Sequence, residues 1–168
     1  MSLSSTTSLD LTIRPAVLAD AADLARIYTQ GIEDRTSTFE TRPRTAEDIL
    51  AWFDGQHPIQ VAERDEQLIA FASTSSYRAR ECYAGIAEFS VYVDREARGT
   101  GAGRTVLLAL IEAARAAGYR KLLSRVFPEN IASLKLLGGC GFREVGRYEK
   151  HGQLDGVWRD VVIVERLL

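Results

Sequence analysis

Two neighbouring stretches carry different periodicities. From Ile86 to Val93, Phe89, Val91 and Val93 alternate with Glu88, Ser90 and Tyr92, the period of two that a pleated strand presents. Farther on, Leu107, Leu110, Ile111 and Ala114 recur at helical spacing and Gly118 supplies a stop. Residues 86–118 are therefore predicted to run strand, loop, helix.

The same reading extends along the chain. Leu11 to Arg14 reads as a short strand closed by Pro15, and a helix from Ala19 or Asp20 places Leu24, Ile27, Tyr28 and Ile32 on one face. The polar run Gly31 to Arg44 reads as a loop, open to two interpretations: a cover over a site or a solvated connection. Thr45 with Asp48 forms a capping box that starts a second helix carrying Ile49, Trp52 and Phe53. Ile59 to Glu63 and Leu68 to Ser75 read as a hairpin across residues 64–67, followed by a basic and aromatic loop, Tyr77 to Tyr83. After Gly118 come a buried strand, Lys121 to Val126, and a short helix, Ile131 to Leu137. A last strand pair, Phe142 to Tyr148 and Val157 to Leu168, is joined through Glu149-Lys150-His151-Gly152. One strand-helix-strand crossover among hairpins predicts an α/β fold with a mixed sheet.

Composition narrows the function classes. A chain of 168 residues with 46% hydrophobic and 26% charged residues is long enough for one ordinary domain. A formal charge of −2 gives no global attraction to nucleic acid or anionic lipid, and the basic residues are interspersed with acids rather than gathered in a stripe. The longest apolar run, Val106 to Ile111, falls far short of the ~20 residues of a membrane span. Two cysteines and two histidines make neither a disulfide framework nor a metal-ligand spacing, which points to a reducing cytoplasm and no metal. Residues 1–10 read as a flexible tail and 11–168 as the domain.

Between the central strand and helix lies Arg98-Gly99-Thr100-Gly101-Ala102-Gly103-Arg104. Its glycines let successive N–H groups turn toward one point at a helix N-terminus, which attracts an anion. Taken alone, the loop reads equally as a glycine-rich turn with no ligand. It lacks the Lys-Ser/Thr that follows the last glycine of a nucleoside-triphosphate loop, and the third glycine of a dinucleotide fingerprint falls on Arg104 or Val106. Arg-x-x-Gly-x-Gly after a strand and opening a helix resembles instead the pyrophosphate loop of the GCN5-related N-acetyltransferases (GNAT). The opening Ile13-Arg14-Pro15-Ala16 and the later Asn130-Ile131-Ala132-Ser133 fit the same family. Read without it, Asn130 is a helix N-cap.

The resemblance implies about seven strands, parallel at the fourth and fifth and splayed there to admit acetyl-CoA. It also implies cofactor contacts at Val91, Val93, Arg98, Gly99, Thr100, Gly101, Ala102, Gly103, Arg104, Asn130 and Ser133. Where many members carry a tyrosine acid seven residues after the asparagine, this chain has Leu137, which cannot donate a proton. Within the family the chain is most similar to phosphinothricin and arsinothricin N-acetyltransferases. The residues concerned are Thr36 to Glu40 with Phe39, Arg78 and Arg80, Glu88, Lys150-His151-Gly152 and Trp158-Arg159-Asp160.

That likeness implies Glu88 as general base and Phe39, Arg78, Arg80, Tyr83 and Tyr92 around the substrate, in a homodimer whose last strands help form the site. On the residues alone, Glu88 reads as a solvent-side or paired carboxylate, and Tyr83 and Tyr92 as core. Arg78 and Arg80, two apart on an extended segment, would face one way and grip one tetrahedral anion; a solvated basic turn is the other reading. The resulting expectation is acetyl transfer from acetyl-CoA to the α-amino group of a small oxyanion-bearing amino-acid analogue (phosphinothricin, arsinothricin, methionine sulfone or sulfoximine), as detoxification or resistance. Acetylation of a peptide N-terminus or another small amine, and non-catalytic CoA sensing, are the alternatives.

Overall fold

The computed structural model describes residues 11–168, so the tail expected over residues 1–10 lies outside the described residues. Its strands are β1 (Thr12–Pro15), β2 (Ile59–Arg64), β3 (Gln67–Ser76), β4 (Ile86–Val93), β5 (Lys121–Val126), β6 (Arg143–Leu154) and β7 (Val157–Leu167). The helices are α1 (Ala21–Asp34), α2 (Ala46–Leu50), α3 (Ala102–Ala116) and α4 (Ile131–Gly139). The strands form one mixed seven-stranded sheet, ordered β1-β2-β3-β4-β5-β7-β6, in which β4 and β5 are the parallel pair.

Two apolar layers sandwich the sheet. The stripe of α3, Val106, Leu107, Leu110 and Ile111, packs on a face made of small residues, Ala70, Ala72 and Ala87, with Phe89. Small side chains there let the helix lie close to the strands. On the other face α1 and α2 bury Leu24, Ile27 and Ile49 against Val61 and Phe71. The β5-β7-β6 half carries exposed apolar side chains, among them Val145, Tyr148, Val157 and Trp158.

The feature that positions the site is the junction of β4 and β5. Their pairing covers only Ile86 to Glu88 against Lys121 to Leu123. Beyond Glu88 the strands diverge, β5 staying with β7 and β4 with β3. Ser124 Oγ reaches across to donate to the Phe89 carbonyl at 2.9 Å. Past that bond the edge of β4 has no strand partner among the described residues.

Several boundaries differ from the sequence expectations. Helix α1 continues through Gly31 to Asp34, because Ile32 extends its apolar face into the core; Arg35, at φ 59°, ends it. Helix α2 stops at Leu50, leaving Trp52 and Phe53 in the turn after it, where Asp54 takes the N–H groups of Gln56 and His57. Strand β6 runs straight through the connection expected at residues 149–152. The reversal comes instead at Asp155-Gly156, whose φ angles of 50° and 79° suit a two-residue hairpin. Lys150, at φ 45°, sits in a bulge held by its N–H bond to Asp160 Oδ1 at 2.8 Å. A polar run was therefore a bulged strand, not a turn.

Candidate active site

A groove of about 430 Å³ opens where β4 and β5 part. Its floor includes Val91 and Val93 of β4, one wall is the loop Arg98, Gly99, Gly101, Ala102, Gly103 and Arg104, and the other is Asn130 and Ser133 at the start of α4. Val91 sits between two claimed carbonyls, since Ser124 takes that of Phe89 and Arg98 Nε that of Val93 at 3.3 Å. Helix α3 starts without a side-chain cap on Gly101, which lies at φ 87° in the left-handed region. The first N–H groups of the helix therefore have no acceptor of their own and face the groove with its positive dipole end. This arrangement fits a diphosphate, and the gap beside Val91 fits an amide-bearing arm.

Side chains stiffen the loop. Arg98 pairs with Asp34 of α1 at 2.7 Å, and Arg95 joins the same carboxylate at 2.8 Å. Burial pushes the Asp34 carboxyl up, but hydrogen bonds from Arg98 and Arg95 outweigh it and hold the group below the usual range. Thr100 does not line the groove; its hydroxyl donates to the Ala97 carbonyl at 2.6 Å and braces the turn. Arg104 donates to the Gly139 carbonyl at 3.1 Å, tying α3 to the end of α4. Asn130 caps α4, its side chain accepting from the Ser133 N–H at 3.2 Å. Leu137 is buried in the core and does not line the groove.

Glu88 lies at the last paired rung of β4 and β5. Its Oε1 is in ion-pair contact with Nη2 of Arg125 on β5. Arg125 in turn lines a second cavity, of about 740 Å³, together with Arg78, Lys121, Arg147, Tyr83 and Glu165. The cations there are not equivalent. Lys121 is engaged by Glu165 at 3.3 Å and Arg147 by Asp160 at 2.6 Å. Burial raises the Glu165 carboxyl, but Arg143 and Lys121 outweigh it and keep it low, hence charged. Arg78 has no carboxylate partner among the described residues; it lies over the Tyr77 ring, 5.2 Å from the centroid.

The expected pairing of Arg78 with Arg80 takes a different form. Residues 77–80 bend and enter a 3-10 turn at Glu81–Tyr83, so the segment is not extended and the period-of-two argument does not apply. Arg80 lies over Tyr83, 5.9 Å from that centroid, and does not line the cavity. Tyr92 borders the groove with one edge while its ring packs between Tyr28 and Phe71, and burial drives its phenol well above the ordinary value.

Phe39 is a packing hub. Its ring meets Phe127 at 4.8 Å, and Gly152 leaves room for it: a Cβ there would come within 2.8 Å of the ring. Of the two interpretations of residues 31–44, the structure favours the cover, because Thr36 and Ser37 border the groove. Sequence reasoning missed Arg125 and Asp34; Arg159, named there with Trp158 and Asp160, stacks on Phe127 at 4.5 Å. For Arg125 a signal existed: it follows Leu123 at a spacing of two, so it shares a face with the last rung beside Glu88.

The family model described as "Acetyltransferase (GNAT) family" matches residues 24–142. A phosphinothricin N-acetyltransferase of Alcaligenes faecalis is 35% identical over 94% of this chain and 82% of its own length. An L-methionine sulfoximine/L-methionine sulfone acetyltransferase of Pseudomonas paraeruginosa is 32% identical over 94% of each. The crystal structure of a GNAT superfamily phosphinothricin acetyltransferase from Sinorhizobium meliloti in complex with acetyl-CoA superposes with a TM-score of 0.87 at 28% identity, covering 94% of this chain and 88% of that one. With the splayed β4-β5 junction and the uncapped glycine start of α3, these matches establish that the chain belongs to the GNAT family of acetyltransferases.

Proposed function

We propose that this protein transfers the acetyl group of acetyl-CoA to the α-amino group of a small amino-acid analogue whose side chain ends in a tetrahedral oxygen-bearing group, as phosphinothricin, arsinothricin, methionine sulfone and methionine sulfoximine do. The observation that carries this reading is the placement of Glu88. It stands at the last paired rung of β4 and β5, three residues before the groove's Val91, and its ion-pair partner Arg125 lines the cavity that also carries Arg78. The loop 98–104 would hold the diphosphate, and Val91, Asn130 and Ser133 the pantetheine arm, bringing the thioester to the parting of the strands.

The chemistry asked of the protein is modest. An α-ammonium of pKa about 8 or higher must lose a proton before its nitrogen can attack the thioester carbon, which costs roughly 1.4 kcal/mol or more at pH 7. Glu88 accepts that proton directly or through water, and the C–N bond forms as the C–S bond breaks. Thiolate is a good leaving group, so solvent can supply its proton in place of the missing tyrosine. Neither cysteine serves as a nucleophile: Cys140 is buried and burial raises its thiol pKa, and Cys82 is exposed on the 3-10 turn.

Detoxification of such analogues in the cytoplasm is the cellular role that fits. Among the described residues no helix is long and apolar enough to cross a membrane. Val157 and Trp158, 61% and 54% exposed at the β6-β7 hairpin, support assembly as a homodimer through these last strands. The test is an acetyl-CoA consumption assay against the four analogues, a polyamine and a peptide. Turnover of the analogues above the other two is expected; preference for the peptide or polyamine, or no turnover of any acceptor, would overturn the reading.

A further inference from the structure

The Glu88–Arg125 contact is placed oddly for a purely structural ion pair. It sits at the last paired rung before β4 and β5 part, Arg125 lines the cationic cavity, and both partners are partly accessible, with Arg125 49% and Glu88 24% exposed. The arginine already engages one of the two oxygens, Oε1, of the carboxylate that an acceptor ammonium would approach. An α-amino acid presents its own positive and negative groups on a single carbon. The protein thus displays, side by side, the complement of an amino-acid zwitterion.

We infer that Arg125 is the residue that reads the acceptor's α-carboxylate. On binding, the acceptor ammonium takes the place of the guanidinium at Glu88, and the guanidinium turns to the α-carboxylate, so one partly solvated ion pair is exchanged for two. Such a pair holds weakly and gives way readily, and a planar guanidinium suits a carboxylate bidentately. Arg78, also in the cavity lining and without a carboxylate partner among the described residues, is left for the acceptor's side chain. The division follows from topology: Arg125 is fixed to β5 beside the base, whereas Arg78 belongs to the loop after β3.

Arg125 is thereby a specificity-determining residue as well as a gate on the base. An amine without an adjacent carboxylate must displace the guanidinium from Glu88 while offering it nothing in return. Amino-acid amides and simple amines of equal size are disfavoured for that reason. The inference rests on the amino-acid acceptor reading given above.

The test compares kcat/KM for methionine sulfone with that for methionine sulfone α-amide, in wild type, Arg125→Gln, Arg125→Lys and Arg78→Ala, with acetyl-CoA binding followed by calorimetry. Wild type should prefer the acid. In Arg125→Gln that preference should shrink by roughly 10- to 100-fold, the worth of a charged hydrogen bond, with KM for the acid raised and acetyl-CoA affinity unchanged. Lysine should restore part of the preference, and Arg78→Ala should leave the acid-to-amide ratio as it was while weakening both. If the ratio in both Arg125 variants equals that of wild type, or acid and amide decline together, Arg125 does not read the carboxylate and the acceptor reading stands without it. Wild type inactive on both compounds and on the other three analogues would overturn the acceptor reading and this assignment together.

Discussion

The two halves of the site are made of different materials. In the groove, binding groups are largely backbone: the uncapped N–H groups of α3 and the unpaired edge of β4, held by the Arg98–Asp34 and Arg104–Gly139 contacts. In the second cavity they are the ends of long side chains, Arg78, Lys121, Arg125 and Arg147, three of them paired with carboxylates. Backbone donors depend on the fold and tolerate many sequences. Side-chain donors depend on a few residues and can be changed one at a time, so in the proposed function the first half would serve the common acetyl donor and the second the choice of acceptor.

If that division holds, changes in the cavity should spare acetyl-CoA. The largest effect is expected from Glu88→Gln, which keeps the shape but removes the base. Turnover should fall by ~10²–10⁴ with acetyl-CoA affinity by calorimetry unaltered. Full activity of this variant between pH 6 and 9 would take Glu88 out of the mechanism, and lost cofactor binding would break the separation of the halves.

Next in size is Arg78→Ala. Losing a charged hydrogen bond costs about 1.5–3 kcal/mol, so acceptor KM should rise by roughly one to two powers of ten. Arg80→Ala should do little, because Arg80 lies over Tyr83 outside the cavity lining. Equal losses in the two variants would show that the loop rearranges on binding and restores the two-arginine clamp expected from sequence.

Gly101→Ala probes the other half. A Cβ there would meet nothing within 4 Å, so only the left-handed backbone is penalised. At about 1–2 kcal/mol for an L-residue, a loop that relaxes when empty must regain its conformation on binding. Acetyl-CoA should then bind about ten-fold more weakly, with the preference among acceptors unchanged. Undiminished affinity would mean that the loop does not need φ 87° to bind.

The same division explains what the sequence disclosed. Strand, glycine loop and helix at residues 86–118 were legible because each uses a local rule: period two, left-handed glycine, period 3.6. The extended segment expected to align Arg78 with Arg80 is absent, because the chain bends there into a 3-10 turn. The connection at residues 149–152 failed because polarity there marks an exposed, bulged strand, held by an Asp160 ten residues away. Arg125 was missed for a third reason: its partner, Glu88, is 37 residues away and meets it only through the parallel pairing of β4 with β5. Local propensity gives elements, whereas charge pairing across the sheet needs the register.

The smallest expected effect lies away from both halves and checks that the others are specific. At the start of α2 the Thr45 hydroxyl accepts from the Asp48 N–H at 3.3 Å, and Asp48 Oδ2 accepts from the Thr45 N–H at 2.9 Å. Thr45→Ala should cost about 1 kcal/mol of stability, seen as a fall in Tm of roughly 2–4 °C, with acetyl-CoA affinity and acceptor kinetics unmoved. The reciprocal half of the box has its own signature. Hydrogen bonds from Arg42 and then Thr45 hold the Asp48 carboxyl down at about 2. A carboxyl lowered on folding adds stability above its unfolded pKa, about 4, and loses it as pH falls through the folded value. The Tm difference between wild type and Asp48→Asn should therefore be constant from pH 8 to pH 5 and shrink between pH 4 and pH 2. A difference that persisted at pH 2 would mean that Asp48 acts through packing rather than charge, and altered acceptor kinetics in Thr45→Ala would mean that α2 communicates with the cavity it was chosen to leave alone.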